Sequence, residues 1–341
     1  MLTSLTEKLA AGQELTAHDI ALACDDLLDE SQPLETRAEF LKTLAAKGET
    51  PREIAAFVNV LLDRAVRPSI SGEGLIDVCG TGGDKMGFFN ISTAVMFVAA
   101  AAGAKVVKHG NRGITSKSGG ADALEALGIR IDLPSERVPE ILDAAGCCFL
   151  FAPLYHPAFK AVGPVRKHLG EQGITTVFNL LGPLLNPIRP DFQLAGIYDE
   201  SRLETYVETL RILGRKRAFA IHGLGESFRL DEVSISGPTR VCALEDGKSR
   251  TFTLEVRDYG IFHEDITILK GGGPAENAEA ILQILRERER GARRDIVLAN
   301  AAMALLAAGV AGNFGEGIEK SREAIDNGEA FRRIEILRSQ Q

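Results

Sequence analysis

The sequence predicts an α/β protein in which a mostly helical N-terminal region precedes a larger α/β domain with a central, largely parallel sheet. Three observations carry that prediction. Residues 1 to about 70 read as helical, with apolar side chains at helical spacing. From Leu75 onward, short apolar runs alternate with helical ones, the pattern of parallel strands and crossover helices. Glycine-rich or polar loops follow the first two of those runs, at the strand edge where such sheets bind ligands.

In the helical region, Thr16 with Asp19 offers an approximate capping pair ahead of Ile20, Leu22 and Ala23. Thr50-Pro51-Arg52-Glu53 is a stronger start, combining a cap, a proline at the first helical position and an acid three residues after the cap. Ile54, Phe57, Val58, Leu61 and Leu62 continue it at helical spacing. Ser71-Gly72-Glu73-Gly74 then breaks the pattern as a hinge near residues 71–74. Leu75-Ile76-Asp77-Val78-Cys79 reads as the first strand, followed by a glycine-rich turn and a helix from Ser92 to Ala102. Lys105-Val106-Val107 reads as the second, with a polar loop and a helix near Ala121 to Leu127. Further strands are expected at Cys148–Phe151, Leu194–Tyr198 and Ala218–Ile221, and further helices at Glu276–Arg290 and Ile296–Ala308.

The 341 residues suffice for one large domain with a smaller companion, and no apolar run reaches the roughly 20 residues of a membrane span. The N-terminus shows no charged segment followed by an apolar block, so a cytoplasmic location is the default expectation. A net charge of −8 argues against nucleic acid as the main partner, since that partner selects a basic face. It leaves room for a local basic pocket that takes a small anion. The five cysteines, Cys24, Cys79, Cys147, Cys148 and Cys242, lack metal-ligand spacing and read as buried thiols.

Three motifs carry chemistry. Gly80-Thr81-Gly82-Gly83-Asp84 follows the first strand, and its bare backbone can close around a phosphate. It is neither a dinucleotide fingerprint nor a Walker motif, and alone it would only turn the chain. Asn90-Ile91-Ser92-Thr93 opens the next helix. Its polar side chains would ordinarily be caps, but a helix start also suits an anion, and a hydroxyl there can reach a magnesium ion. Lys108-His109-Gly110-Asn111-Arg112 and Thr115-Ser116-Lys117-Ser118-Gly119-Gly120 set cations, hydroxyls and glycines in one loop at the ligand edge.

These motifs, in this order and spacing, resemble the signatures of the anthranilate phosphoribosyltransferase family. The likeness continues through Pro164-Val165-Arg166, Phe178 to Leu184, Asn186-Pro187, His222-Gly223, Leu230-Asp231-Glu232, Gly271-Gly272 and Glu276-Asn277-Ala278. It therefore spans nearly the whole chain. The resemblance implies a fold of the nucleoside phosphorylase and phosphoribosyltransferase type. A helical domain of residues 1–70 plus about 168–187 would pack beside an α/β domain of 75–167 plus about 188–341, with the site between them and a homodimer through the helical domains.

The resemblance also implies transfer of the phosphoribosyl group of phosphoribosyl pyrophosphate to the amine of anthranilate, with Mg²⁺, in tryptophan biosynthesis. Phosphoribosyl pyrophosphate would be held by Gly80, Gly83, Asp84, Asn90, Ile91, Ser92, Thr93, Lys108, His109, Gly110, Asn111, Arg112, Thr115, Ser116 and Gly120. Ser92, Asp231 and Glu232 match metal positions, although two adjacent acids alone would read as exposed charge. Asn111 and Arg166 match the anthranilate-binding pair, with Gly80, His109, Pro153, His156 and Gly182 along the aromatic substrate's route. Lys108, Asn111 and Arg166 are the residues expected to bear on catalysis.

The chain departs from the family pattern at five places. Phe88 stands for a Ser or Thr, Lys85 for a Gly, Gly113 for a Ser, Gly120 for a Ser or Ala, and Phe228-Arg229 for Asp-Gly. These changes keep a divergent transferase for another aromatic acceptor in play. A nucleoside phosphorylase of similar architecture is the other enzymatic alternative. A non-catalytic nucleic-acid-binding relative would show a basic surface and lack the metal acids, whereas this chain is acidic and keeps Asp231 and Glu232.

Overall fold

The computed structural model describes residues 1–113 and 117–340. Its first four helices are α1 (Leu2–Ala10), α2 (Ala17–Leu28), α3 (Leu34–Lys47) and α4 (Pro51–Asp63). Both α2 and α4 start in closed capping boxes: Thr16 exchanges hydrogen bonds with Asp19, and Thr50 with Glu53. Glu53 is fully buried, and its carboxylate also accepts from Leu15 N and pairs with Lys47 at 2.8 Å. A carboxylate is tolerated in an interior only when its oxygens are satisfied in this way.

Five strands lie parallel: β1 (Leu75–Gly80), β2 (Lys105–Gly110), β3 (Cys147–Phe151), β4 (Phe192–Gly196) and β5 (Arg217–Leu224). Between β1 and β3 run α5 (Ile91–Ala101), α6 (Gly120–Ala126) and α7 (Val138–Ala145). From β3 the chain passes through α8 (Ala152–Tyr155), α9 (Gly163–Glu171) and α10 (Val177–Leu180) to β4, and α11 (Leu203–Ile212) leads on to β5. Three antiparallel strands extend the sheet, β6 (Arg229–Leu230), β7 (Thr239–Glu245) and β8 (Lys248–Leu254). Sequence pattern did not announce the β7–β8 hairpin, because β8 is an edge strand whose side chains are mostly exposed and polar.

The chain ends with α12 (Pro274–Leu285), α13 (Ala292–Ala307), α14 (Phe314–Asp326) and α15 (Glu329–Ser339). The helix expected to reach Arg290 stops at Leu285. Beyond it Arg286 to Arg290 offer no apolar face to bury, and Glu287 takes a left-handed φ of 57°.

The sheet order β3-β2-β1-β4-β5-β7-β8 places the reversal of chain direction between β1 and β4. Side chains alternate across the sheet, and both faces are covered. Leu194, Phe219 and Ile221 face a core shared with α5, α12 and α13. Ala195, Ala218 and Ala220 face the other core, where small side chains let α11 and the first four helices approach. Val162, Val165, Leu169, Val177, Phe178, Leu181 and Leu184 belong to that second core, so the chain returns to the helical bundle between β3 and β4. Among the described residues no helix is long and apolar enough to cross a membrane.

Candidate active site

The crevice at a direction reversal is where open α/β sheets bind ligands. Here Gly80 ends β1 and Gly196 ends β4, and the two are partners in register. The Asp231 turn drops into the space their missing side chains leave. A Cβ on Gly196 would stand 1.7 Å from the Asp231 carbonyl oxygen, and one on Gly80 would stand 2.4 Å from Asp231 Oδ2. Asp231 Oδ2 accepts from Gly82 N at 2.7 Å, so a carboxylate already sits against the glycine-rich loop. That loop is held to β4 by Thr81 N donating to Gly196 O at 2.8 Å and by Tyr198 N donating to Thr81 Oγ1 at 3.2 Å.

Asp84, Asp231 and Glu232 crowd together. Burial, reinforced by the charge of Asp231, lifts the Asp84 carboxyl to about 6, and burial raises Asp231 as well. Burial and then Asp231 push Glu232 well above the carboxylate range. Half-buried acids that repel one another supply hard oxygen atoms of the kind a divalent cation takes, one or two at a time. Ser92 lines the same small cavity as Asp231 and Glu232, and its Oγ accepts from Lys108 Nζ at 3.1 Å. Among the described residues no three carboxylate, imidazole or thiol groups stand together as a ligand set. A magnesium ion here would take the rest of its shell from substrate phosphate and water, as Mg²⁺ commonly does.

Lys108 is buried and its ammonium also donates to Val78 O. Asn90 does not cap α5. Its Nδ2 donates to Ser118 O at 3.2 Å and its Oδ1 accepts from Asn277 Nδ2 at 2.9 Å, which braces the loops around it and leaves the α5 start without a side-chain cap. Ile91 and Thr93 are buried, so Ile91 can offer a ligand only its backbone, and the Thr93 hydroxyl has no partner among the described residues. Gly120 faces that hydroxyl: a Cβ there would stand 3.3 Å from Thr93 Oγ1. Gly110 is needed for a different reason, since a Cβ would meet the Phe149 ring at 2.8 Å. Gly83 adopts φ 97° beside Tyr198.

Arg112, a cation expected from the sequence to serve the phosphate loop, is engaged by acids of α6 in this structure. Its guanidinium pairs with Asp122 at 3.1 Å and with Glu125, over the Phe151 ring, because α6 presents those two acids one turn apart. Asn111 is exposed, and its Oδ1 accepts from Arg112 N at 2.7 Å. Thr115 and Ser116 lie outside the described residues.

The residues the sequence assigned to the aromatic substrate's route contribute to a line of rings. His109 meets His156 at 5.2 Å between centroids, His156 meets Phe159 at 5.6 Å, and Phe159 meets Phe178 at 5.8 Å. At the far end the Arg166 guanidinium lies 6.0 Å from the Phe178 centroid, half-buried and without an ion-pair partner among the described residues. Burial lowers its pKa, the mark of a cation short of a counter-charge. Burial also drives His109 down to about 3 and lowers His156, so both imidazoles are neutral at pH 7. His109 Nε2 has no partner among the described residues, whereas His156 Nε2 meets Leu185 O at 2.7 Å. Gly182, near His109, and Pro153 on α8 are both exposed.

Comparison with known proteins places the chain among relatives of the same fold. Residues 72–331 match the model of a glycosyl transferase family a/b domain, and residues 3–65 match that family's helical bundle domain. Anthranilate phosphoribosyltransferase of Methanocorpusculum labreanum is 44% identical over 99% of this chain and 97% of its own. That of Exiguobacterium sibiricum is 43% identical over 97% and 95%. The chain belongs to the anthranilate phosphoribosyltransferase family.

Among solved structures, the Thermus thermophilus anthranilate phosphoribosyltransferase superposes with a TM-score of 0.88 at 36% identity, covering 98% of each chain. The Saccharomyces cerevisiae enzyme in complex with phosphoribosyl pyrophosphate and Mg superposes equally well, at 0.88 and 28% identity, over 99% of this chain and 97% of that one.

The residues at which this chain departs from that family's pattern have the following surroundings. Phe88 packs against the core and its backbone bridges to Lys270. Arg229 Nη1 donates to the carbonyls of Gly225 and Phe228, its own loop. Gly113 N donates to Asp122 Oδ2 at 2.8 Å. Lys85 is exposed at φ 57°. Sequence reasoning assigned no role to Asp77, Phe159, Asn186 or Asn277. Asp77 carried a legible signal, a charge inside an apolar strand; Phe159 carried none.

Proposed function

We propose that this chain transfers the 5-phosphoribosyl group of phosphoribosyl pyrophosphate to the amine of anthranilate, releasing pyrophosphate, as a step of tryptophan biosynthesis. One observation carries the assignment to these residues. The glycine-cleared crevice with its acids and Lys108 adjoins a row of rings that ends in Arg166, a cation with no ion-pair partner among the described residues. An anionic sugar diphosphate suits the first half, and an aromatic carboxylate suits the second.

In this reading the Gly80–Asp84 loop, the open start of α5, Lys108 and the loop from Gly110 to Gly120 hold the donor's phosphates. Ser92, Asp231 and Glu232, with Asp84 beside them, would hold Mg²⁺. Bound there, the metal would stabilise charge on the departing pyrophosphate. Arg166 takes the anthranilate carboxylate through paired N–H groups, and Asn111 orients the amine. His109, Pro153, His156 and Gly182 line the approach as uncharged walls. The C1–oxygen bond breaks with its electron pair going to pyrophosphate, while the amine nitrogen bonds to C1 and sheds a proton. An aromatic amine is neutral at pH 7, so orientation and preorganised charge matter more than a base. A second subunit through the helical bundle is part of the same proposal.

Mixing the protein with anthranilate, phosphoribosyl pyrophosphate and Mg²⁺ should extinguish anthranilate fluorescence. Silence with anthranilate but turnover of another aromatic amine would replace the acceptor; phosphorolysis of nucleosides would replace the reaction.

A further inference from the structure

Asp77 sits in the middle of β1 with no exposed surface, and none of the chemistry above uses it. Its two oxygens serve two different halves of the site. Oδ1 accepts from His109 N at 3.1 Å, at the end of β2 between Lys108 and the phosphate loop. Oδ2 accepts from Asn186 Nδ2 at 3.0 Å. Asn186 is itself fully buried, donates to Val107 O at 2.8 Å, and its Oδ1 accepts from Ile188 N at 3.1 Å. The segment that Asn186 closes begins at Gly182 and includes Leu185, whose carbonyl meets His156.

A run of hydrogen bonds, carried from Asn186 to Leu185 by the chain itself, therefore joins the donor side of the site to the acceptor side, and Asp77 is its shared anchor. We infer that Asp77 is a positioning residue for phosphoribosyl transfer: through Asn186 it sets where the Gly182–Leu185 turn and His156 stand relative to Lys108 and His109. The inference rests on the donor and acceptor halves proposed above.

The direction of failure follows from how each partner is otherwise held. The end of β2 is paired in register with β3 as far as Gly110, so Lys108 keeps its place without Asp77. The Gly182–Ile188 stretch belongs to no strand and, once the Asp77 bond is lost, is held by isolated bonds to Val107, Gln193, His156 and, from Gly182, to His109. Asp77→Asn has nearly the same shape but only one accepting oxygen, and it faces two N–H donors. One contact becomes donor against donor. The turn yields, not the strand.

The test pairs steady-state kinetics with calorimetry on the full chain. Asp77→Asn is expected to raise the anthranilate KM about tenfold and to lower kcat, since misorientation of the acceptor affects both. The dissociation constant for phosphoribosyl pyrophosphate with Mg²⁺ should change less than about threefold. Asn186→Ala should give the same split, and the double variant should be no worse than the worse single one. Equal weakening of both substrates, an unchanged anthranilate KM, or additive effects would each overturn the inference. Should Asp77→Asn fail to fold, Asn186→Ala carries the same comparison. Failure of the transfer reading itself would show in the parent protein, as absent turnover, before any variant is made.

Discussion

Two residues put the proposed site to the test. Arg166 is a guanidinium with a ring beneath it and no carboxylate of its own among the described residues. Arg166→Ala is expected to raise the anthranilate KM by about tenfold or more while leaving phosphoribosyl pyrophosphate affinity intact. Arg166→Lys should rescue little, because a single ammonium cannot make the paired bonds. Gly196 is a test of a different kind. Its Cβ would collide with the Asp231 backbone, which cannot swing aside as a flexible side chain does. Gly196→Ala should therefore displace the acids and reduce Mg²⁺-dependent turnover sharply. Gly170→Ala in α9, where a Cβ meets nothing within 4 Å, should instead stabilise the protein by about 0.5–1 kcal/mol. Activity and urea unfolding together separate the two outcomes.

At the scale of elements, the caps and the sheet edge carry most of the local logic. Thr16 and Asp19 start α2, and the hydrogen bond from Lys8, with those from Thr16, holds the Asp19 carboxyl down to about 2. A carboxyl depressed below its ordinary value of 3.8 binds its proton less readily when folded, so its contribution is fully present above about pH 4. It is lost as pH falls toward 2. Asp19→Asn should accordingly cost stability at pH 7 but little at pH 2, measured by urea unfolding across that range. The sequence marked the starts of α2 and α4, since caps are local chemistry. It marked five parallel strands, although it carried β4 on to Tyr198 where the structure ends it at Gly196. It overlooked β7 and β8, whose pairing is decided by β5 beside them and not by their own composition.

At the scale of the molecule, two cores sandwich one sheet, and the site lies where the sheet's connections diverge. Ligand at the crevice must stabilise the whole fold by mass action. Phosphoribosyl pyrophosphate with Mg²⁺ at a hundred times its dissociation constant should add about 2.7 kcal/mol to unfolding, visible as a raised Tm. Removing Mg²⁺ with a chelator should reverse most of that shift. Asp231→Asn combined with Glu232→Gln should abolish the metal-dependent part; a shift that survives the double change would place the ion elsewhere.

Sequence by itself determined the helical start, the alternation of strands and helices, the loops offered to phosphate, and the family those motifs resemble. Each of these is written in neighbouring residues: a cap, an apolar period, a run of glycines. Tertiary structure alone decided the rest. It turned Arg112 away to Asp122 and Glu125, made Asn90 a brace to Asn277 instead of a cap, and drew Phe159 into a row of rings between His156 and Phe178. It joined Asp77 to Asn186, 109 positions apart in the chain. Partners at such distances leave no local pattern, because what selects them is burial without water and the need of each polar group for a bond.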